Sequence, residues 1–228
     1  MEDWPHHLIF PPKADLSKKW DLPGPNQAVG WRLIVDPPGD PAANMAADED
    51  LACRVRERRA PSTLRIYRWN QPAISIGRRQ QVDDLPSDLL RKNLPIVQRP
   101  TGGGAVLHRL DELTYALALS YPYGGRLVKL HEIPQLFHGF FRRALIQKGF
   151  ISSEVLSMHE GDCAGPPVLC FSAPVCGDLL YHGRKVAGSA LRAWREGILL
   201  QGSLQDFPVS EEQVVQALQF VAVAGITG

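Results

Sequence analysis

The sequence predicts an α+β fold built from mixed or antiparallel sheets, with helices packed on the outside. Toward the C-terminus, three apolar runs at 178–181, 184–187 and 197–204 are separated by short turn segments, which is the pattern of neighbouring antiparallel strands. Between 130 and 149, apolar residues recur at helical spacing and predict an amphipathic helix that lies on the sheet. The chain contains no internal repeat and no low-complexity segment that would indicate a different architecture.

Composition is that of an ordinary globular protein rather than a nucleic-acid or membrane binder. Hydrophobic residues make up 44% and charged residues 21% of the 228 residues, and the net charge is +1. This balance gives no bulk attraction to nucleic acid or to an anionic membrane. Four cysteines, and an N-terminus without a basic segment followed by an apolar one, predict a reduced, cytoplasmic protein. We expect an irregular arm over residues 1–28 and a single domain over residues 29–228.

The N-terminal half is predicted to contain a helix and a strand pair. Asp40 is placed to cap a helix that begins at Pro41, and four residues spaced four apart would form its buried stripe. These residues are Ala43, Ala47, Leu51 and Val55. Residues 64–69 alternate in polarity as a half-buried strand does, and a turn would join them to a second strand at 73–77. The two strands would then form a hairpin within one sheet.

Three consecutive glycines, Gly102–Gly104, form the most unusual stretch. They lie between apolar runs at 94–98 and 105–107, with Arg99 and His108 at the two ends. Glycine in strand-like sequence marks a bulge or a close approach of another backbone or a ligand, so the stretch indicates a groove floor flanked by a cation and an imidazole. A glycine-rich hairpin turn is the alternative. The stretch fits neither a P-loop nor a dinucleotide fingerprint, since no helix follows it.

The stretch from Arg99 to His108 resembles a signature of the lipoate and octanoate protein ligase and transferase family. That signature is an arginine, a glycine-rich run, a small-valine-hydrophobic-histidine segment and then a strand. The segment Gly183–Ala190, Gly-Arg-Lys-Val-Ala-Gly-Ser-Ala, resembles a second signature of the same family. The two occur in the family's order, and the resemblance covers roughly residues 31–207. It implies that residues 29–228 form a catalytic domain like that of the biotin and lipoate protein ligases.

Cys170 is the candidate nucleophile, although a free cysteine is most often a small buried hydrophobe. The Cys170–Phe171 pair, which precedes Lys185, resembles the nucleophile loop of octanoyltransferases that act on the glycine cleavage H protein. The resemblance implies that octanoyl passes from octanoyl-acyl carrier protein to Cys170 as a thioester. It then passes to the lysine of a lipoyl-domain or H-protein acceptor, and the reaction needs no cofactor. A nearby cation such as Lys185 would favour the thiolate.

The resemblance also implies roles for the other signature residues. Lys185 would contact the acyl carbonyl, with a surface lysine in a turn as the alternative, and backbone N–H groups near Gly188 would stabilise an oxyanion. His108 would either move a proton or hold the loop by a hydrogen bond. Gln201 stands where the family often has histidine, so its role is open. The candidate substrate-binding residues are Arg99, Gly102, Gly103, Gly104, His108, Gly188, Ser189 and Ala190.

Two other functions compete with the transferase. An ATP-dependent lipoate protein ligase would hold lipoyl-adenylate on Lys185 and the glycine stretch, and it would need ATP and Mg²⁺ but no cysteine. Many such ligases carry an accessory domain, which a separate subunit could supply under this alternative. A zinc-binding module is the other alternative, although the spacing of its candidate ligands does not match common zinc patterns. Those candidates are His159, Cys163, Cys170, Cys176 and His182.

Two further groups of polar residues have open roles. Arg78 and Arg79 follow the predicted strand at 73–77, where they would either be solvated or meet a substrate or carrier protein. His131 and His138 are seven residues apart on the predicted helix. With no third ligand nearby in the sequence, this spacing predicts surface residues rather than a metal site.

Overall fold

The computed structural model describes residues 31–120, 129–161 and 167–224. The predicted N-terminal arm, residues 1–28, lies outside the described residues, as does Cys163. The prediction of a single domain therefore stays a prediction. Among the described residues, no helix is both long enough and apolar enough to cross a membrane.

The described chain contains ten strands, four α-helices and two 3₁₀ turns. The strands are β1 (Arg32–Val35), β2 (Thr63–Tyr67), β3 (Ala73–Ile76), β4 (Ile96–Gln98), β5 (Val106–His108), β6 (Leu113–Ser120), β7 (Leu156–Met158), β8 (Leu179–Tyr181), β9 (Arg184–Ala193) and β10 (Gly197–Leu204). The helices are α1 (Pro41–Arg56), α2 (Ser87–Leu90), α3 (Ile133–Gln147) and α4 (Glu211–Ala224). The 3₁₀ turns are Val82–Asp84 and Leu130–Glu132.

Seven strands form the main sheet in the order β1-β2-β6-β10-β9-β8-β7. β1 and β2 run parallel, whereas every other neighbouring pair in this sheet is antiparallel. The three C-terminal strands β8, β9 and β10 pair in sequence order, as the turn pattern predicts. The mixed sheet and its helices confirm the predicted α+β class.

A second, three-stranded sheet has the order β4-β3-β5 and corrects two predictions. β2 and β3 lie in different sheets, so the predicted hairpin between them is wrong. β4 and β5 both pair with β3, one parallel and one antiparallel, and so lie on opposite sides of it. The glycine stretch that joins them is therefore a crossover loop and not a hairpin turn.

Helices cover both faces of the main sheet. Phe137, Phe141 and Leu145 of α3 are fully buried in one hydrophobic cluster with sheet residues such as Leu117 and Leu200. This confirms the prediction that the helix lies on the sheet, and Pro134 is tolerated because it falls in the first turn. α1 packs with another cluster of sheet residues, so the predicted half-buried strand, β2, is buried along its whole length.

The buried face of α1 differs from the predicted stripe. Asp40 caps the helix as predicted, because its side chain accepts hydrogen bonds from the backbone N–H groups of the first turn. Ala43, however, is exposed and Ala47 only half-buried. The face toward the sheet contains Pro41, Asn44, Met45, Asp48, Leu51, Ala52 and Val55. Asn44 and Asp48 are buried because Arg65 in β2 donates hydrogen bonds to both side chains, at 2.9 and 2.7 Å.

Candidate active site

Arg99 holds the glycine loop, Thr101–Gly104, in place. Its guanidinium donates to the carbonyl oxygens of Gly102 at 2.9 Å and Gly104 at 2.8 Å. These two bonds come from Nη2, whereas Nη1 of Arg99 donates to the carbonyl and hydroxyl oxygens of Ser75 in β3, at 2.8 and 2.7 Å. Arg99 is buried, and that burial lowers its pKa from the usual value. The arginine of the first signature thus ties the loop to the small sheet.

His108 extends this contact into a buried chain of hydrogen bonds. Because Ser75 Oγ accepts from Arg99, it donates its proton to His108 Nε2 at 2.6 Å. Nδ1–H then donates to Glu112 Oε1 at 2.5 Å. Burial lowers the pKa of His108, which keeps the ring neutral. We call Ser75, Arg99, His108 and Glu112 the loop-support network.

Glu112 and Trp69 complete the surroundings of His108. Besides accepting from His108, the Glu112 carboxylate accepts hydrogen bonds from Ser203 Oγ at 3.0 Å, Gln205 Nε2 at 2.8 Å and further donors. Trp69 stacks on the imidazole with ring centroids 3.9 Å apart. Both ring nitrogens of His108 therefore have partners within the network, and neither is left to face a substrate.

Gly104 is the glycine of the loop that close packing requires. A Cβ atom there would lie 2.0 Å from the carbonyl oxygen of Pro167 and 2.8 Å from that of Val168, closer than any side chain tolerates. A Cβ on Gly102 would meet nothing within 4 Å. Gly103 has a φ of +86°, a conformation that glycine adopts readily, and lies against Ala190. The glycines thus provide both a close approach for the next segment and an open backbone surface.

The segment that approaches Gly104 carries Cys170. Ala105 N–H donates to the Val168 carbonyl at 2.7 Å, and Cys170 N–H donates to the Ala105 carbonyl at 2.8 Å. These two bonds form a parallel bridge between Ala105 and Leu169. The candidate nucleophile is therefore held against the glycine loop by backbone bonds, and its side chain is only partly buried.

Lys185 directs its ammonium group at Cys170. Nζ donates to the Cys170 carbonyl oxygen at 2.7 Å, lies 3.5 Å from Cys170 Sγ and forms an ion pair with Asp178 Oδ2 at 2.7 Å. These contacts use all three donors of the ammonium. The Lys185 and Asp178 side chains are each only 3% exposed. We call Cys170, Lys185 and Asp178 the reacting cluster.

Gly188 leaves the space that Lys185 occupies. A Cβ atom on Gly188 would lie 2.6 Å from Lys185 Cε and 2.9 Å from Nζ. β8 pairs with β9 only as far as Ala187, so beyond that residue β9 has a strand partner on one side only. Among the residues that the structure describes, no strand pairs with this edge of β9 from Gly188 onward, and Gly188 itself adjoins the lysine.

A second histidine supports the reacting cluster from behind. His138 of α3 is fully buried, which corrects the prediction that it is a surface residue; His131 is exposed as predicted. The Nδ1–H group of His138 donates to the Gly177 carbonyl at 2.6 Å, so Nε2 of the same ring accepts from the Tyr115 hydroxyl at 2.6 Å. Burial lowers the pKa of His138 and raises that of Tyr115. The helix is thereby tied to the residue that precedes Asp178.

Gln201, the departure from the family pattern, connects α1 with the glycine loop. Its Nε2 donates to Asp48 Oδ2 at 2.7 Å, and its Oε1 accepts from Thr101 Oγ1 at 2.8 Å. Asp48 also accepts from the Tyr67 hydroxyl, and burial raises the pKa of the carboxyl group. Gln201 therefore has partners at both ends of its amide.

A narrow chamber joins these groups. Its wall includes residues of both signatures together with aromatic and small side chains of the main sheet. The lining residues are Met45, Tyr67, Trp69, Arg99, Val106, His108, Thr114, Cys170, Gly188, Ser189, Ala190, Gln201, Gly202 and Ser203. Gly102–Gly104 instead line a separate, wider groove of about 760 Å³.

The candidate residues therefore converge on one region of the fold. Cys170, Lys185, Arg99, His108, Gly188, Ser189 and Ala190 all contribute to the chamber or to the reacting cluster. Asp178, Ser75 and Glu112 were not predicted as site residues. Sequence alone gives no sign that Ser75 lies beside His108, because strand pairing creates that contact. Asp178 carries a usable signal, a lone carboxylate between the candidate cysteine and lysine.

The residues that the structure describes contain no cluster of metal ligands that would support the zinc hypothesis. No three histidine, cysteine or acidic side chains in these segments come together as a metal site. Cys163, one of its candidate ligands, lies outside them.

Comparison with known sequences identifies relatives over most of the chain. The model of the lipoyl protein ligase A/B catalytic domain matches residues 40–219. A protein named octanoyltransferase LipM from Oceanobacillus iheyensis is 34% identical over 200 residues, which cover 84% of this chain and 69% of that protein. Octanoyltransferase LipM from Geobacillus kaustophilus is 37% identical over 183 residues, 76% of this chain and 64% of that protein. The chain thus spans about two thirds of the length of these relatives.

Comparison with solved structures gives the same fold. A crystal structure of lipoate-protein ligase A bound with ATP superimposes with a TM-score of 0.63 at 19% identity, covering 85% of each chain. At this identity the match establishes the architecture alone, and it confirms the predicted ligase-like fold. Together with the match over residues 40–219, it shows that the chain belongs to the lipoyl protein ligase A/B catalytic domain family.

Proposed function

We propose that this protein is an octanoyltransferase that moves an octanoyl group from octanoyl-acyl carrier protein, through a thioester on Cys170, to a lysine of a lipoyl-domain or glycine cleavage H protein. The observation that carries the proposal is the position of Lys185 Nζ, 3.5 Å from Cys170 Sγ and paired with buried Asp178. The named relatives, octanoyltransferases of the same family, support the type of reaction.

In the first step, Cys170 acts as a thiolate, and its sulfur attacks the carbonyl carbon of the donor thioester. The new C–S bond forms as the bond to the donor sulfur breaks, and the donor leaves as a thiolate that takes up a proton. Two thioesters are similar in energy, so neither an oxidant nor ATP is needed. The positive charge of Lys185 would stabilise both the attacking sulfur and the oxyanion that develops on the acyl oxygen.

In the second step, the neutral amine of the acceptor lysine attacks the Cys170 thioester. An amide bond forms, the C–S bond breaks and the amine loses a proton, so that Cys170 returns to its starting state. The free edge of β9 at Gly188 would supply backbone N–H donors to the same oxyanion in both steps. One site then serves two chemically similar substitutions.

The acyl chain would lie in the chamber beside Cys170. Its wall contains Trp69, Val106 and Ala190, and two of the polar side chains there, His108 and Gln201, have their hydrogen bonds satisfied by protein groups. An apolar chain can bury methylene groups against such a wall at a gain of about 0.8 kcal/mol each. The loop-support network, including His108, would shape this chamber without exchanging protons with the substrate.

The ATP-dependent ligase is the second candidate, because one solved structure with this fold is a ligase bound with ATP. The two candidates differ in their need for Cys170 and for a nucleotide. We would incubate the purified protein with octanoyl-acyl carrier protein and a lipoyl-domain acceptor in the absence of ATP and Mg²⁺. Intact mass of the acceptor would measure transfer, with Cys170→Ser as the test variant and Cys176→Ser as the matched control.

The transferase predicts octanoylated acceptor without nucleotide, loss of the product in Cys170→Ser and normal product in Cys176→Ser. The ligase predicts no product until ATP, Mg²⁺ and free octanoate or lipoate are added, and then full activity in Cys170→Ser. That second pattern would overturn the proposal.

A further inference from the structure

The wider groove beside the glycine loop contains a concentration of positive charge. Arg78, Arg79 and Arg192 all line it together with Gly102–Gly104. Arg78 and Arg79 are exposed, and within the described segments neither forms an ion pair. Arg192 is half-buried beside Trp194, with its guanidinium carbon 4.4 Å from the ring centroid. Three arginines thus border one open space.

The negative charges nearby do not balance these three groups. Asp84 lines the groove and keeps its negative charge while its carboxylate accepts from the backbone N–H of Gln81 at 2.7 Å. Arg192 forms an ion pair with Glu49 at 3.9 Å, and the Glu49 side chain is 67% exposed. Burial and the neighbouring charge of Arg78 lower the pKa of Arg192. Three arginines beside two carboxylates, one of them largely exposed, leave the groove net positive, which is the arrangement of an anion-binding surface.

The groove is also connected to the segment that carries Cys170. Gln80, which follows the two exposed arginines, donates from Nε2 to the Val168 carbonyl at 3.2 Å. Pro167 and Val168 form part of the groove wall. Val168 is two residues from Cys170, a separation of at most about 7 Å along the chain. A ligand in the groove would therefore end close to the reacting cluster.

We propose that this groove binds the phosphodiester of the donor's 4′-phosphopantetheine arm, with Arg78, Arg79 and Arg192 as the phosphate contacts. The inference rests on the proposed function, because an acyl carrier presents its thioester at the end of such an arm. The phosphate is the single charge along the arm, and planar guanidinium groups match its oxygens with paired N–H donors. Gly102, with open space where a Cβ would lie, lets the arm approach the loop backbone.

The test compares two octanoyl thioesters that differ only in the phosphate, octanoyl-4′-phosphopantetheine and octanoyl-pantetheine. The variant Arg78→Gln/Arg79→Gln changes two exposed residues, so we expect it to fold. Arg32→Gln/Arg143→Gln, on β1 and α3, removes the same charge elsewhere. The first readout is the ratio of kcat/KM for the two thioesters. The second is binding of unacylated 4′-phosphopantetheine, pantetheine and ATP by calorimetry, which requires no activity.

For the wild type we expect 4′-phosphopantetheine to bind more tightly than pantetheine, and the kcat/KM ratio to favour the phosphorylated thioester by about tenfold or more. Arg78→Gln/Arg79→Gln should abolish both preferences, and Arg32→Gln/Arg143→Gln should keep them. Equal binding of the two arms would overturn the inference. The inference would also be overturned if Arg78→Gln/Arg79→Gln lowered kcat/KM only for intact octanoyl-acyl carrier protein. That result would assign the arginines to the acidic surface of the carrier. Tight binding of ATP in place of 4′-phosphopantetheine would assign the groove to a nucleotide.

Failure of the inference and failure of the proposed function give different results. If wild-type enzyme transfers octanoyl from both thioesters equally, the transferase stands and the phosphate site falls. If no thioester acylates Cys170, the transferase falls, and the calorimetric preference alone then decides whether the groove binds the phosphate.

Discussion

The two signature segments meet at one site, but they are built in opposite ways. In the loop-support network, Ser75, Arg99, His108 and Glu112 are all buried, and their polar atoms have protein partners. In the reacting cluster, Lys185 and Asp178 are equally buried, yet the Cys170 side chain they adjoin is partly exposed. Burial alone therefore does not separate these two sets of side chains. Cys170 differs from the buried network in being partly open, which is the property that the proposed nucleophile needs.

The largest effect is expected from removing the positive charge beside Cys170. We expect Lys185→Ala to slow acyl transfer by about 10²–10³-fold, the usual cost of losing one donor to a developing oxyanion. Lys185→Arg should not restore the rate, because the space at Gly188 is filled by the lysine and a guanidinium is larger. Single-turnover transfer from octanoyl-acyl carrier protein measures the effect, and Lys92→Ala, an exposed lysine, is the control. More than half of wild-type activity in Lys185→Ala would remove Lys185 from the reacting cluster.

The loop-support network should respond mainly in stability. In the wild type, several buried donors point at the Glu112 carboxylate. Glu112→Gln replaces one carboxylate oxygen with an NH₂ group, which is itself a donor, so some of these buried donors lose their acceptor. We expect the free energy of unfolding to fall by about 3 kcal/mol. Urea denaturation at pH 7.5 measures it, and Glu57→Gln, at an exposed position, should change it by less than about 0.5 kcal/mol. An equal effect in the two variants would mean that the network contributes no support.

Gly104 lies where the glycine loop contacts the segment that carries Cys170. A substitution there should therefore move Cys170 without removing any side chain of the reacting cluster. A Cβ atom 2.0 Å from the Pro167 carbonyl must push the Cys170 segment away from the glycine loop. A displacement of about 1 Å costs up to about 10²-fold in rate, so we expect Gly104→Ala to lower acyl transfer at least tenfold. Gly139→Ala, in α3 with open space around the new methyl group, should leave the rate unchanged. Unchanged transfer by Gly104→Ala would show that the contact does not position Cys170.

The smallest expected effect is the pH dependence of stability. Burial lowers the pKa of His108 and His138 in the folded state, while in the unfolded chain histidine titrates near 6.5. The unfolded state therefore binds more protons below about pH 6.5, so stability is full above that pH and falls as the pH drops. The slope is at most about 1.4 kcal/mol per pH unit for each histidine.

We expect the free energy of unfolding to decrease between pH 7.5 and 5.5, and to decrease by about 1 kcal/mol less in His138→Gln than in the wild type. His131→Gln, at an exposed position in the 3₁₀ turn that precedes α3, should keep the wild-type slope. Identical slopes in all three proteins would contradict a neutral, buried His138.

Short-range patterns were sufficient to predict much of the fold. The β8–β10 meander, the cap at Asp40 and the helix over α3 follow from local sequence, and the structure confirms each. Prediction failed where a contact between distant segments decides the outcome. β2 and β3 are neighbours in sequence but enter different sheets, and Asn44 and Asp48 are buried because Arg65 supplies charge and donors from another strand.

The candidate site shows the same difference between features that a local sequence pattern predicts and features that depend on contacts between distant segments. The glycine loop and Lys185 were recognised because their residue types and order are distinctive. Ser75, the partner of Arg99, is a common residue type in an unremarkable position, and Asp178, the partner of Lys185, stands out only as the lone carboxylate between the candidate cysteine and lysine. Their roles depend on strand pairing in the small sheet and on the loop before β8, neither of which has a local sequence pattern.

The central claim, that Cys170 carries the acyl group, can be tested by trapping the intermediate. Wild-type enzyme would be mixed with octanoyl-acyl carrier protein without acceptor, and the product analysed by intact mass and peptide mapping. We predict one hydroxylamine-labile octanoyl group on Cys170, absent in Cys170→Ser, that passes to an acceptor lysine when a lipoyl domain is added. Transfer to the acceptor with no adduct on Cys170, or with the adduct on another residue, would contradict the account.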